Sequence, residues 1–298
     1  MKSSKEIFLT GETGFIGKNI ISFFEKYSIT IFNRNSDCII NQEIVIHLAG
    51  KAHDLKKTYN SVDYYKVNTE LTKKVFDAFL ASNAKVFITL SSVKAVVDEV
   101  EGELTEDHVP NPSTHYGKSK LLAEQYILSK EIPIGKRIYI LRPCMIHGPG
   151  NKGNLNLLYK LVSKGVPWPL GSFENKRSFC SIDNLMFIIK ELIERDDIHS
   201  GVYNVADDTS LSTNELISIM AKTLNYNTKI WRISKGFIQF MAKFGNVLNL
   251  PLNEERLKKL TDSYVVSNKK IKSAIVKPLP KSSKDGFVIT FKSFKKQN

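Results

Sequence analysis

The chain has 298 residues, 42% of them hydrophobic, which is enough for one large domain or a domain and a half around a sizeable core. Its net charge of +13 comes mostly from scattered lysines, and no aromatic-basic motif or zinc spacing goes with them, so a solvated surface is expected and nucleic acid is not an expected partner. No apolar run reaches the roughly 18 residues of a membrane span, and Met1-Lys2-Ser3-Ser4-Lys5 leads into a strand without a signal-peptide core; a cytoplasmic protein is expected, with peripheral membrane contact left open. Cys38, Cys144 and Cys180 lie far apart without metal-ligand spacing and read as small residues in or near the core of a protein in a reducing compartment.

The first element is a short buried strand joined to a helix by Ile7-Phe8-Leu9-Thr10-Gly11-Glu12-Thr13-Gly14-Phe15-Ile16-Gly17. Three glycines spaced G-x-x-G-x-x-G suit the pyrophosphate of a dinucleotide. Gly11 permits a tight turn, Gly14 lets bare backbone approach the phosphates, and Gly17 lets the helix lie close to the strand. Unpaired N–H groups and the positive dipole end of the helix face the anion. Ile16, Ile20, Phe23 and Phe24 recur at helical spacing to about Tyr27.

Ile29 through Phe32 reads as a second strand that finishes at Asn33-Arg34. Dinucleotide folds place an acid here for a ribose 2′-hydroxyl, or an arginine for a 2′-phosphate. The acid is absent, which favours NADP(H) over NAD(H). Glu12 adds a negative charge nearby, and Arg34 covering the adenine is the other reading. Residues 35–43 are short for a full crossover unit.

Ile44 through Gly50 is a buried strand whose small residues reach the carboxyl edge, where open parallel sheets bind ligands. A lone His47 at a strand end is read as a hydrogen-bonded structural residue, with catalysis the less favoured alternative. Lys51 and His53 follow on a loop that faces either a diphosphate or solvent. Residues 63–82 have the period of a long helix with Asn68 near its packed side, and Val86 through Leu90 is a strand closing on Ser91-Ser92.

His115-Tyr116-Gly117-Lys118-Ser119-Lys120 opens another helix. Tyr116 and Lys120, four apart, share one face. An ammonium there favours phenolate, lowering a pKa that ordinarily sits near ~10, and lets the phenol exchange a proton with a carbonyl or alcohol. Ser92, at a neighbouring strand end, can bond the same oxygen.

Taken with His47-Leu48-Ala49-Gly50 and with Leu141-Arg142-Pro143 through Gly148-Pro149-Gly150, these motifs resemble the extended short-chain dehydrogenase/reductases of the nucleotide-sugar epimerase/dehydratase group over residues 5 to 220. The resemblance implies a Rossmann-type, doubly wound parallel α/β sheet with a smaller C-terminal substrate-binding lobe. Residues 1–150 are expected to form the dinucleotide-binding domain and 151–298 mainly the lobe, with 177–205 interleaved with the first domain. Ser92, Tyr116 and Lys120 are implied as a catalytic triad, Lys120 also holding the nicotinamide ribose. The same resemblance implies Gly11, Gly14, Phe15, Ile16 and Gly17 around the pyrophosphate, Leu48 and Ala49 lining the cofactor, and Asn68 supporting the site. Homodimers are usual in the group.

Within the group, Ser91-Ser92-Val93-Lys94, Asn151 through Asn154, and Pro169-Leu170-Gly171 before Arg177-Ser178 are similar to bacterial reductases of UDP-4-keto-6-deoxy-N-acetylhexosamines. Sugar dehydratases carry Asp-Glu where this chain has Val93-Lys94, which argues against dehydration. The implied activity is C4 keto reduction of a UDP-linked sugar for surface polysaccharide. A UDP-sugar 4-epimerase retaining NAD is the alternative, and a dinucleotide-sensing binding protein the alternative outside enzymes.

In the second half, Ile138 through Leu141 is a strand and Gly201 through Val205 a returning one. Asn154 bonds substrate or caps a helix. Arg177 pairs with the diphosphate or forms a surface ion pair. Asp183 is a candidate cap, Ser212 through Glu215 resembles a capping sequence, and residues after 225 are assigned to packing. The apolar side of Phe287 through Lys296 is expected to pack on the domain, with membrane or partner contact as the alternative.

Overall fold

Successive side chains of a strand point to opposite faces of its sheet, and the buried runs of this chain use both. The protein, a computed structural model describing residues 5–33, 37–51, 60–151, 154–247 and 253–295, starts with β1 (Glu6–Thr10), the glycine loop and α1 (Phe15–Phe23). Then come β2 (Ser28–Ile31), β3 (Ile44–His47), α2 (Ser61–Tyr64), a π-helical stretch Tyr65–Glu70, and α3 (Leu71–Ala81). β4 (Val86–Leu90), a short β5 (Glu103–Leu104), α4 (His115–Leu128) and β6 (Arg137–Pro143) follow. The remaining chain forms β7 (Met145–His147), α5 (Asn154–Ser163), β8 (Phe179–Ser181), α6 (Ile182–Glu194), β9 (Gly201–Val205) and α7 (Thr213–Leu224). It ends with α8 (Lys235–Val247), α9 (Glu254–Thr261), β10 (Val265–Val266), α10 (Lys269–Ile275) and α11 (Ser283–Lys295).

Six strands form one sheet in the order β2-β1-β3-β4-β6-β9, every neighbouring pair parallel. The chain leaves β1 toward β2 and comes back to its other side as β3. A crevice therefore opens beyond the carboxyl ends of β1 and β3, where parallel sheets take ligands. No helix joins β2 to β3 among the described residues, as the short 35–43 segment suggested. The fold is the expected Rossmann-type α/β architecture.

Alternation divides the core. Ile7, Leu9, Ile44, Ile46, Ile88, Tyr139 and Leu141 face α1 and α6, while Phe8, Val45, Phe87, Ile138 and Ile140 face α3 and α4. Each large apolar side chain buried this way stabilises the fold by about 1.5–3 kcal/mol. A separate cluster joins α5, α7, α9 and α11 through Leu155, Ile217, Leu257, Phe287 and Phe291. The apolar side of the terminal helix is thus packed inward.

Several boundaries differ from the sequence reading. α1 stops at Phe23, not near Tyr27, and the third strand ends at His47. Ser181, not Asp183, caps α6, its hydroxyl accepting from Asn184 N at 3.3 Å, and Asp183 lies in the first turn, where a carboxylate suits the helix dipole. Ser212 and Glu215 form the reciprocal capping box at α7. Cys144 and Cys180 are buried and Cys38 half-buried, all three as free thiols.

Candidate active site

The glycine loop is built as its spacing predicts. Gly11 has φ +79°, and a Cβ there would lie 2.6 Å from Ala49 N. A Cβ on Gly17 would run into the Gly11 carbonyl and lie 2.7 Å from Glu12 Cα, so the start of α1 sits directly on the turn. Gly14 is the N-cap of α1 and offers no side-chain acceptor, leaving the first N–H groups of the helix to an anion. These features fit a dinucleotide pyrophosphate. Phe15 and Ile16 lean on the core, so what they could offer such a group is backbone N–H.

Thr10 ties this loop to the end of β3. Its hydroxyl accepts from Leu48 N at 3.2 Å and Ala49 N at 3.0 Å, and lies 2.8 Å from His47 Nδ1. Thr72 Oγ1 lies 2.9 Å from His47 Nε2. With both ring nitrogens bonded and the ring buried, His47 is the structural residue expected. Burial and the nearby Lys120 charge hold its pKa down to about 3.

Asn68 is fully buried on the π-helical stretch. Its Oδ1 accepts from Lys51 N at 2.8 Å, and its Nδ2 donates to Ser119 Oγ at 3.0 Å and to Lys51 O at 3.2 Å. The wider turn brings this amide inward and locks it between the end of β3 and α4. A Cβ on Gly50 would meet Asn68 Oδ1 and Lys120 Nζ, each at 3.1 Å. The bare backbone of Gly50 thus lets the amine and the amide converge beside the glycine loop.

Lys120 Nζ donates to Leu90 O at 2.8 Å, at the carboxyl end of β4. Burial brings its pKa down to about 8 against an opposing pull from Glu124. Tyr116, one turn earlier on α4, is half-buried, with Tyr64 edge-on to its ring at a centroid distance of 6.2 Å. The Ser92 hydroxyl is hydrogen-bonded to its phenol. Burial raises the Tyr116 pKa, and the Ser92 bond lowers it in part. The expected fall in the Tyr116 pKa is therefore not what these surroundings produce; desolvation of the phenolate wins and the phenol keeps its proton. Ser92 also accepts from Lys94 N at 3.2 Å, capping the short turn Val93–Ala95.

That turn carries the site toward the second half of the chain. Lys94 Nζ donates to Asp98 O at 2.6 Å and lies 4.1 Å from the centroid of the Tyr264 ring. Tyr264 is fastened by donating to Val97 O at 2.7 Å, and its backbone pairs with Lys176 and Ser178. Arg177 lies between, half-buried, donating to Lys259 O and drawn to the Asp262 carboxylate. It is not a surface ion pair. Burial lowers its pKa and that of Lys94, and the Arg177 charge further disfavours the Lys94 ammonium. Two cations thus lie close together here.

Asn33 is exposed just beyond β2, while Arg34 and His53 are outside the described residues. Asn154 opens α5, and its side chain is likewise outside them. Lys51 forms an ion pair with Asp63 at 2.7 Å. Sequence reasoning passed over Thr10, Tyr64, Ser119, Tyr264 and Glu124, the last a buried acid joined to Arg142 Nε at 3.0 Å and to the Ser91 hydroxyl. Glu124 carried a signal, being four residues past Lys120 on the same helix face. Among the described residues no cluster could hold a metal ion, and no helix is long and apolar enough to cross a membrane.

A Rossmann sheet whose glycine loop adjoins a Ser-Tyr-Lys constellation defines an NAD(P)-dependent enzyme of the short-chain dehydrogenase/reductase type. The chain belongs to the NAD dependent epimerase/dehydratase family, whose model matches residues 7–206. It is similar to the UDP-glucose 4-epimerase of Vibrio cholerae, 30% identical over 330 residues covering 100% of this chain and 98% of that one. Its fold matches MoeE5 in complex with UDP-glucuronic acid and NAD (TM-score 0.76, 18% identity, 98% of this chain and 100% of that one). It also matches RMD from Pseudomonas aeruginosa complexed with NADPH (TM-score 0.74, 18% identity, 98% and 100% covered). Its relatives include nucleotide-sugar epimerases and reductases, and this chain is an NAD(P)-dependent enzyme of the nucleotide-sugar epimerase/reductase class.

Proposed function

We propose that this enzyme is an NADP(H)-dependent reductase acting on the C4 keto group of a UDP-linked 4-keto-6-deoxy-N-acetylhexosamine, in surface polysaccharide synthesis. The observation that carries the reading is the Ser92–Tyr116 hydrogen bond beside Lys120 at the glycine-loop end of the sheet. When bound, the dinucleotide supplies a hydride to sugar C4. Tyr116 Oη gives its proton to the carbonyl oxygen as charge develops there, which a phenol that remains protonated is suited to do. Ser92 donates to the same oxygen and steadies it. Lys120 bonds the nicotinamide ribose and, being cationic below about pH 8, stabilises the tyrosinate left behind.

Gly11, Gly14, Phe15, Ile16 and Gly17 hold the pyrophosphate by backbone, Leu48 and Ala49 line the cofactor, and Asn68 fixes the Gly50–Lys51 backbone beside it. Asn33 and Arg34, without an acid, take the adenosine end and favour NADP(H). Arg177 takes the substrate diphosphate, with Asn154 as a further substrate contact. Dehydration is disfavoured by Lys94, a cation committed to Asp98 O and the Tyr264 ring where that reaction needs an acid.

The full-length likeness to the Vibrio cholerae 4-epimerase supports a second reading, 4-epimerisation with retained NAD. One experiment separates them. Purified enzyme is assayed with a UDP-4-keto-6-deoxy-N-acetylhexosamine and NADPH, and in parallel with UDP-glucose and UDP-N-acetylglucosamine without added cofactor. Stoichiometric NADPH consumption with a product two mass units heavier supports reduction; turnover of the second set with protein-bound NAD replaces it by epimerisation.

A further inference from the structure

The helix α8 turns most of its apolar surface away from the protein. Ile238 and Ala242 are buried in the lobe core. Phe237, Phe240, Met241 and Phe244, spaced i, i+3, i+4 and i+7, form a second stripe that is 57%, 60%, 40% and 54% exposed. Beside it Trp231 is 51% exposed on a segment that cannot fold inward. Its N–H donates to Trp168 O at 2.8 Å, its carbonyl accepts from Gly171 N at 2.9 Å, and Trp168 N donates to Lys229 O at 2.8 Å. The indole is thus presented by a pinned backbone. An apolar patch this concentrated marks an interaction site, not ordinary surface.

Charge identifies what it meets. Lys229, Arg232, Lys235 and Lys243 accompany the stripe, and no Asp or Glu occurs between Thr228 and Asn253. Aromatic residues on one face of a short helix, an interfacial tryptophan, and cations at the flanks are the chemistry of a segment lying in the headgroup region of an anionic bilayer, with Glu254 and Asp262 beside Lys243 on the cavity side. A second copy of this chain seated symmetrically on the face would set those cations against themselves with no acid in the segment to pair them.

We infer that α8 and residues 229–233 form a peripheral docking face for an anionic membrane. The face adjoins a cavity of about 530 Å³ lined by Phe240 and Lys243 of α8 and by Leu257 and Asp262 at α9. Asp262, one of its lining residues, is also the carboxylate that attracts Arg177.

The test is vesicle flotation of the full-length protein with phosphatidylethanolamine/phosphatidylglycerol vesicles and with phosphatidylcholine vesicles, at low and high salt. Binding to the anionic vesicles is expected, weakened by salt and weak on phosphatidylcholine. The exposed Trp231 should shift its fluorescence to the blue on binding, while Trp168, 2% exposed, stays constant. Phe240→Ser/Phe244→Ser and, separately, Lys235→Gln/Lys243→Gln should each lower binding by about tenfold or more with unchanged thermal unfolding. The proposal is overturned if wild-type protein stays off the anionic vesicles, or if the variants bind as well as wild type. It is equally overturned if light scattering shows a dimer that the Phe240→Ser/Phe244→Ser change makes monomeric while vesicle binding persists.

Discussion

The Ser92 hydroxyl is hydrogen-bonded to the Tyr116 phenol, which ties the chain just past β4 to the first turn of α4. This bond favours the phenolate, while burial favours the phenol more strongly. The pair is therefore set as a proton donor with a second donor aimed at the same point. Tyr116→Phe removes the transferable proton and should lower kcat by on the order of 10²–10⁴-fold, with dinucleotide affinity measured by titration unchanged. Ser92→Ala should fall between this variant and wild type. Equal loss of dinucleotide binding in Tyr116→Phe would point to a structural role instead.

Lys120 should set the alkaline limit of activity. Its pKa of about 8 follows from burial, and the Glu124 carboxylate four residues along pulls the other way. The amine is charged below that pH and loses its proton above it, so kcat/KM, which reports the free enzyme, should decline as pH rises through about 8. Glu124→Gln removes the opposing pull and should move this decline to lower pH. A limb that stays in place in the variant would show that Lys120 does not govern it.

Gly17 gives a steric test of the cofactor loop. A methyl group there strikes the Gly11 carbonyl and the Glu12 backbone, neither of which can rotate away as a side chain could. Gly17→Ala should cost about 1–3 kcal/mol in urea unfolding and weaken dinucleotide binding, whereas Gly135→Ala, with open space around it, should leave dinucleotide binding intact.

His47 should make the fold sensitive to mild acid. Its pKa is held to about 3 when folded, against ~6.5 when unfolded, so the unfolded chain takes up the proton first. The contribution is fully present above about pH 6.5 and is lost as pH falls toward 3, at up to about 1.4 kcal/mol per pH unit. Urea titrations at pH 7 and pH 5 should therefore show wild type losing more stability than His47→Gln. Parallel losses in the two proteins would remove His47 as the cause.

What could be read from sequence was what depends on local spacing. The glycine triplet, the four-residue step from Tyr116 to Lys120 and the Ser212 capping box are geometric consequences of neighbouring residues, and they appear as expected. Contacts made by distant parts of the chain could not be read. Nothing near Tyr264 in sequence shows that its ring receives Lys94, and a helical period over 65–70 does not reveal the π-helical turn that brings Asn68 inward. Packing is all that the sequence reading assigns to the residues after 225, yet α8 buries Ile238 and Ala242 and leaves Phe237, Phe240 and Phe244 on an exposed face. Which face meets the core and which the outside is fixed by packing elsewhere.

The Glu124–Arg142 pair should show how much of the site's precision comes from a charge that never touches substrate. Both side chains are almost wholly buried, with Arg142 Nη2 2.5 Å and Nε 3.1 Å from Glu124 Oε2, and Ser91 donating to the other oxygen. Among the described residues Arg142 Nη1 has no hydrogen-bond partner, so the guanidinium depends on this one carboxylate for compensation. Removing either partner strands a charge, and Arg142→Met or Glu124→Met should cost about 3–5 kcal/mol. Replacing both removes the charges together, so the double variant should be more stable than either single one in urea titration. Because the carboxylate also anchors Ser91, next to Ser92, the double variant should recover stability more fully than kcat. Stabilities that add would show the two side chains to be energetically independent.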